Sequence, residues 1–182
     1  MVPGIIRVLI KIMAILTNIS LFIGPINIDI SSKGVEFEIQ EYCERLEAEL
    51  LEKLLGRTLY TEYLDDSTDI KFTELLDGVT DSFEYGGITR KYTGLANKFC
   101  YYIYYLYSKD QYATNTAHGD VAPESIGGSY QYNEGRVIRA YNKWIDAFND
   151  AVDFIRYKNE LTPDTYVGFT TSKMIYANTF GI

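Results

Sequence analysis

The chain has 182 residues, a length that fits one domain with a substantial core. Its formal net charge of −8 argues against a general nucleic-acid binder, because such proteins hold the phosphate backbone through a net basic surface. Two cysteines and a single histidine cannot assemble a His-rich or Cys-rich metal site within one subunit. Seventeen tyrosines are an excess, which is typical of partly hydrated interfaces because tyrosine joins a large ring to a polar tip.

Residues 1–30 are strongly apolar and predict an N-terminal arm. Arg7 and Lys11 ahead of the apolar run resemble the start of a signal peptide, which leaves a membrane anchor as the alternative. The uncharged run 12–28 contains a proline and several polar residues, is short for a membrane span, and is followed by no small-residue cleavage site. We therefore expect a buried or interface segment, with Met13 as an alternative start.

The stretch from Val35 to Tyr60 predicts one long amphipathic helix that ends at Gly56 and is followed at once by a short second helix. Its apolar residues recur at the spacings of one helical face: Val35, Ile39, Tyr42, Cys43, Leu46, Leu50 and Leu54. Residues 36–55 hold seven glutamates against two basic residues, which is most of the chain's net negative charge. We expect these glutamates to face water.

The acidic segment 65–69 predicts a solvated turn, since it lacks the glycine and the final glutamate of a calcium loop. A short helix around residues 72–76 follows and ends at the next glycine. In residues 79–93, two β-prone runs flank Gly86-Gly87, which predicts a tight hairpin. Because a two-stranded ribbon is marginal alone, we expect it to lean on the helices or on a neighbouring subunit.

A tyrosine-rich helix is predicted from Leu95 to Lys109. One of its faces is formed by Leu95, Phe99, Tyr102 and Leu106, and further rings cover most of the rest, including Tyr101, Tyr104 and Tyr105. A helix that is apolar all round has to be surrounded, so we expect a second packing layer, which another subunit can supply. Stacking of single-stranded bases is the alternative use of these rings, but only two lysines flank them.

Residues 110–132 predict a long polar loop, and the last long helix is predicted from about Glu134 to Lys158. The buried face of this helix recurs at helical spacing: Val137, Ala140, Tyr141, Trp144, Phe148, Ala151, Val152 and Ile155. Three bases line its other side, either as a solvated face or as a contact for an acidic partner: Arg136, Arg139 and Lys143. Residues 161–182 are aromatic and non-helical, which predicts an extended C-terminal arm that docks.

These elements predict a mainly α fold: a small helical bundle of three long helices plus short helices, with one β-hairpin insertion and extended N- and C-terminal arms. The arms are residues 1–30 and 161–182, and the helical domain is residues 31–160. No catalytic constellation stands out, because the glycine pairs lack the lysine of a phosphate-binding loop and any Ser–His or Cys–His pair would have to use His118. We expect no enzyme, no metal and no cofactor.

The order of the motifs resembles a known family. The segments are LLGRTLYTEYL, a short helix ending in ELLDGVT, the hairpin EYGGITRKYTGL, the helix FCYYIYYLY, the loop TAHGDVAPES and the closing helix RVIRAYNKWIDAFND. This order is similar to that of head–tail adaptor proteins (connector, head-completion or neck-ring proteins) of tailed bacteriophages, particularly crAss-like and related phages of gut bacteria. The resemblance covers about residues 30–160 and leaves both arms unmatched.

The resemblance implies a structural virion protein at the capsid–tail junction, assembled in the host cytoplasm and without membrane, cofactor or catalytic residues. It implies a homo-oligomeric ring, commonly a dodecamer, that binds the portal protein, extends the DNA channel and seats the next neck or tail protein. DNA would pass through without specific binding, because an acidic channel wall would keep it from adhering. The candidate channel-lining residues are Glu41, Glu44 and Glu52. Candidate contacts with other subunits or the portal are Tyr101, Tyr104, Tyr105, Arg136, Arg139, Lys143, Tyr166, Phe169 and Phe180.

Two other functions stay open from the residues alone. The apolar N-terminus is compatible with a membrane-associated or secreted surface protein. The tyrosines are compatible with a module that binds a small ligand or a carbohydrate.

Overall fold

A computed structural model describes residues 17, 19–29, 33–112, 115–116, 119–120 and 134–177. In this part of the chain the α-helices are α1 (Lys33–Asp65), α2 (Ile70–Asp77), α3 (Phe99–Tyr112) and α4 (Glu134–Leu161). An antiparallel hairpin joins β1 (Ser82–Tyr85) to β2 (Ile88–Lys91), and a two-residue ladder within the predicted loop joins β3 (Asn115–Thr116) to β4 (Gly119–Asp120). Single 3-10 turns occupy Ile19–Leu21, Gly24–Ile26 and Ala96–Lys98. The predicted mainly α fold with a β-hairpin is confirmed.

Helix α3 lies between α1 and α4, and the three helices share one hydrophobic core. On the α4 side, Trp144 is fully buried and its ring centroid lies 5.3 Å from that of Phe99. On the α1 side, the rings of Tyr42 and Tyr107 pack in a T-shaped arrangement with their centroids 5.7 Å apart. Both packing layers on this aromatic helix therefore come from the same chain. The sequence alone allowed another subunit to supply the second layer.

The buried side of α3 differs from the predicted one. Phe99 is buried as expected, but Tyr102 and Leu106 are only half-buried. The residues that enter the core instead are Cys100, Ile103, Tyr104 and Tyr107. The cause is that α3 is apolar all round, so its sequence pattern does not define which side α1 and α4 cover.

Gly56 interrupts α1 with φ 74° and ψ 163°, a backbone conformation that is essentially restricted to glycine. The break lies at the residue where the sequence predicted the first helix to end, and that prediction is confirmed. Leu55 before the break and Leu59 after it are both buried, so both halves of α1 contribute to the core.

The backbone segments that follow α2 and the hairpin cross in close contact at two glycines, Gly78 and Gly94. A Cβ atom on Gly78 would lie 2.6 Å from the Gly94 nitrogen, so a larger residue does not fit at this crossing. Just beside it, the Tyr92 hydroxyl donates a hydrogen bond to the Leu75 carbonyl at 2.6 Å. At the other end of α2, Asp69 accepts the Lys71 N–H at 2.9 Å, as expected of a solvated acidic turn that caps a helix.

The hairpin packs on α4 of its own chain. Phe83 in β1 contacts Phe154 and Tyr157, with ring centroids 5.8 Å and 4.9 Å apart. Tyr92 stacks on Phe154 at 4.3 Å. The sequence allowed the hairpin to pack either on the helices or on a neighbouring subunit, and in this structure it packs on a helix of its own chain.

One expectation about the first helix is wrong. Glu47 is buried rather than hydrated, and its Oε1 accepts the Thr17 N–H at 2.6 Å. A carboxylate on the core side of an amphipathic helix needs such a donor, and this donor comes from a segment about thirty residues away. Most of the predicted N-terminal arm lies outside the described residues, as do Met13 and His118.

Candidate functional site

The exposed acids on α1 form the first candidate surface. Glu41, Glu44 and Glu52 are all exposed, as the sequence predicted. Glu41 and Glu52 are separated by about three helical turns, so they project from the same side of α1, and Glu44 lies between them. We call these three residues the acidic face.

The acidic face borders a shallow hollow between α1 and the end of α3. Glu41 and Glu44 line it with Tyr42, Arg45 and Asp110. The Tyr42 hydroxyl donates to Asp110 Oδ2 at 2.5 Å, and burial followed by this hydrogen bond raises the pKa of Tyr42 to about 12. The phenol therefore stays neutral at physiological pH, and it adds a hydrogen-bonded support rather than a charge to the acidic surroundings.

Aromatic rings and lysines form a second surface, where α3 meets α4. Tyr105 lies 4.7 Å from Tyr141 between ring centroids, and Lys143 lies over the ring of Tyr101 at 5.3 Å. Tyr101 and Tyr105 are half-buried and Lys143 is exposed, so these three candidate contact residues remain accessible to a partner. Tyr104 is buried in the core, which corrects its prediction as a contact residue.

The basic residues at the start of α4 divide into two groups. Arg136 donates through Nε to the Pro25 carbonyl and through Nη2 to the Gly24 carbonyl, the latter at 2.9 Å. It is therefore engaged with the N-terminal segment of its own chain. Arg139 is exposed, like Lys143, and both stay available for an acidic partner.

The C-terminal arm, of which the structure describes residues 162–177, begins with a core residue. The side chain of Tyr166 is only 1% exposed, its hydroxyl donates to the Lys71 carbonyl at 2.6 Å, and its ring meets Phe72 edge-on at 6.5 Å. Tyr166 is thus a core anchor of the arm and not the surface contact that the sequence suggested. Phe169 is half-buried against the same core, and Phe180 lies outside the described residues.

Beyond Tyr166 the arm runs back along α4, held through its main chain by asparagines. Each of three α4 amides accepts the N–H and donates to the C=O of one arm residue, pairing Asn159 with Tyr166, Asn149 with Met174 and Asn142 with Ala177. The six bonds measure between 2.8 and 3.2 Å. We call Asn142, Asn149 and Asn159 the amide ladder.

The spacing of the two distal ladder amides, Asn142 and Asn149, matches an extended chain. Asn142 and Asn149 are seven residues apart, which is about 10 Å along a helix. Met174 and Ala177 are three residues apart, which is also about 10 Å along an extended strand. The distance between Asn142 and Asn149 along α4 therefore equals the distance between Met174 and Ala177 along the arm, so both amides can bind the arm's peptide groups.

One buried carboxylate adds charge to this contact. Asp153 on α4 is 1% exposed, and its Oδ2 lies 2.6 Å from Lys173 Nζ on the arm and 2.6 Å from Arg90 Nη1 on β2. Arg90 also reaches Asp150 Oδ1 at 3.1 Å. Burial raises the pKa of Asp150, and the neighbouring Arg90 opposes that shift. Helix, hairpin and arm thus meet at Asp153.

Sequence reasoning missed the amide ladder and Asp153. The sequence does show asparagines and an aspartate on or beside the apolar face of this amphipathic helix, at positions where aliphatic residues are expected. Those polar residues were the one sign of a buried polar contact. Their partners are main-chain groups of the arm, which every residue carries, so the sequence does not reveal which segment they bind.

A cleft of about 300 Å³ lies at the base of the hairpin, where Tyr92 and Tyr101 face Lys98 and Lys143. Its two acids are already engaged, since Asp150 binds Arg90 and Asp146 accepts the Tyr176 hydroxyl at 2.7 Å. Among the described residues, no group of three His, Cys, Asp or Glu side chains is placed to hold a metal ion. In the same residues no helix is both long enough and apolar enough to cross a membrane.

No protein-family model matches the chain, and no curated protein or solved structure matches it. The candidate surfaces therefore rest on their own geometry: an acidic face on α1 before Gly56, an aromatic and basic surface between α3 and α4, and an arm bound to α4 through its main chain.

Proposed function

We propose that this chain is a structural virion protein, a ring-forming head–tail adaptor of a tailed bacteriophage. In this role it binds the portal, extends the DNA channel and seats the next neck or tail protein, without catalysis. The observation that carries the proposal is the acidic face, three exposed carboxylates on one side of α1 before its break at Gly56. The order of motifs, from LLGRTLY to the closing helix, supports the same proposal.

The acidic face suits a channel wall for an electrostatic reason. DNA carries about one negative charge per 1.7 Å of its axis, so a wall of like charge offers it no binding site. Screening limits this repulsion to about 8 Å at physiological salt, so only carboxylates that line the lumen itself contribute. In a ring, symmetry places each of the three carboxylates at the same level in every copy. The acidic face is thereby repeated around the lumen.

Charge reversal tests the orientation of the acidic face. A triple variant with Glu41→Lys, Glu44→Lys and Glu52→Lys is compared with a control in which Glu84→Lys, Glu134→Lys and Glu160→Lys change three other exposed acids. Both variants gain the same charge, and both should fold because all six positions are exposed. We expect particles with the acidic-face variant to hold their DNA and to eject it at least about ten-fold more slowly than the control.

The comparison with the control decides the result. Equal ejection from both variants and the natural chain would mean that the acidic face does not line the lumen. Failure of the natural chain to enter particles at the portal would overturn the adaptor role itself.

A further inference from the structure

We propose that one end of the molecule binds a segment of a partner protein that presents an apolar side chain between lysine or arginine residues. This end is formed by the start of α2, the last turn of α4 and the start of the C-terminal arm. Its centre consists of three exposed aliphatic side chains, Ile70, Leu161 and Val167, which we call the end patch. No residue of the acidic face belongs to it, so the proposal concerns a surface that the channel wall does not use.

The end patch exposes aliphatic surface from three different elements. Ile70 is 74% exposed, Leu161 61% and Val167 58%. Single exposed apolar side chains are ordinary on a protein surface, whereas several that gather in one place and are rimmed by polar residues mark an interaction site.

The contact of Tyr166 with α2 brings two members of the patch together. The Tyr166 hydroxyl donates to the Lys71 carbonyl at 2.6 Å. Val167 directly follows Tyr166 and Ile70 directly precedes Lys71, so the two aliphatic residues lie on neighbouring segments.

An ion pair between α4 and α2 places the third member beside them. Lys158 Nζ lies 2.6 Å from Glu74 Oε2. Leu161 is three residues beyond Lys158, and Ile70 is four residues before Glu74. These are the spacings of one helical side, so each aliphatic residue lies on the side of its helix that carries the ion pair.

The charge around the end patch is almost entirely negative. Residues 62–74 and 158–167 together hold seven acids and two lysines. Both lysines already form ion pairs with two of these acids, at 2.5 Å for Lys71 and 2.6 Å for Lys158. The other five acids in these segments are Asp65, Asp66, Asp69, Glu160 and Asp164.

This charge selects the occupant of the patch. DNA, an anionic lipid surface and an acidic protein are repelled by it. A lysine or arginine on either side of an apolar side chain instead meets the acids while the apolar side chain covers the patch. Exposed ion pairs contribute little affinity, so burial of the aliphatic groups drives binding and the charges orient the partner.

Methyl NMR of the full chain tests the proposal with three synthetic peptides. The first carries a leucine flanked by two lysines on each side, the second has glutamates in place of the lysines, and the third has serine in place of the leucine. We expect the methyl signals of Ile70, Leu161 and Val167 to shift saturably with the first peptide. The other two should bind at least about ten-fold more weakly, because one lacks the favourable charge and the other the apolar contact.

Two double variants locate the binding on the patch. Ile70→Ser with Val167→Ser should weaken binding of the first peptide at least about ten-fold, since it removes two of the three aliphatic groups. Ile88→Ser with Ile175→Ser is the matched control and should leave the affinity unchanged, because it changes two other aliphatic residues, 54% and 85% exposed. All four positions are exposed, so both variants should fold.

Three results would overturn the proposal. One is the absence of a response at the patch methyls, including a response confined to α1. Another is equal binding of the lysine peptide and either of the other two. The third is a lower native mass for I70S/V167S than for I88S/I175S without peptide binding, which would assign the patch to a contact between copies. The adaptor role is tested separately, by charge reversal on the acidic face.

Discussion

Asp153 and Lys173 form an ion pair of 2.6 Å between a buried carboxylate on α4 and an ammonium group on the C-terminal arm. The same carboxylate oxygen lies 2.6 Å from Arg90 on the hairpin. A carboxylate this deeply buried is stable only with such partners. Docking of the arm and docking of the hairpin are therefore coupled through one side chain.

Asp153→Asn should destabilise the chain by about 1.5–3 kcal/mol, the range for hydrogen bonds to charged groups. The loss is limited because the Arg90 and Lys173 side chains are 27% and 42% exposed and can be hydrated when the carboxylate is gone. Urea denaturation measures the change, with Asp81→Asn, at an exposed position, as the matched control. Equal stability of the two variants would contradict the coupling.

Asn149→Ala should release the distal arm. The change removes two main-chain hydrogen bonds to Met174, at 2.8 Å and 3.2 Å, and costs about 1–3 kcal/mol. Trypsin cleavage after Lys173 reports the release, since a docked arm does not fit the protease. Faster cleavage is expected in this variant and not in Asn97→Ala, an exposed control; an unchanged cleavage rate would mean that the amide does not hold the arm.

Trp144→Ala should cost about 3–5 kcal/mol, because the indole is fully buried against Phe99 and Phe148. Tyr102→Ala should cost about half as much, since Tyr102 is only half-buried where its ring packs against Trp144 and Tyr141 of α4. Chemical denaturation of both variants gives the ratio. A larger loss at Tyr102 than at Trp144 would contradict the observed orientation of α3.

Stability should fall in alkali. Burial raises the pKa of Tyr92 and of Tyr166 well above the ordinary value of 10.0. The folded chain therefore keeps both phenols neutral while the unfolded chain ionises them. Their contribution is constant below about pH 9 and is lost as the pH rises beyond 10, at about 1.4 kcal/mol per pH unit for each tyrosine.

Urea midpoints at pH 8, 10 and 11 measure this alkaline slope. Tyr166→Phe removes one ionisable phenol, so its stability should fall less steeply above pH 10 than that of the natural chain. Parallel curves for the two proteins would show that Tyr166 ionises equally in the folded and unfolded chain.

Local patterns predicted most of the fold. The break at Gly56, the short helix before Gly78 and the hairpin at Gly86-Gly87 all follow from helical periodicity and turn chemistry. The orientation of α3 did not follow, because an apolar surface on every side defines no preferred face.

Tertiary partners explain the remaining differences. Glu47 and Tyr166 have residue types that favour the surface, yet each is buried because a distant main-chain group completes its hydrogen bonding. Arg136 likewise binds carbonyls of Gly24 and Pro25 rather than presenting a free cation. Such pairings depend on contacts far apart in sequence, and no local spacing encodes them.

The native mass of the purified chain, alone and mixed with a phage portal ring, tests the proposed adaptor role most directly. The account predicts a closed ring whose mass is an integer multiple of 20.8 kDa and which remains attached to the portal. A particle of 20.8 kDa at every concentration, with no association with the portal, would contradict it.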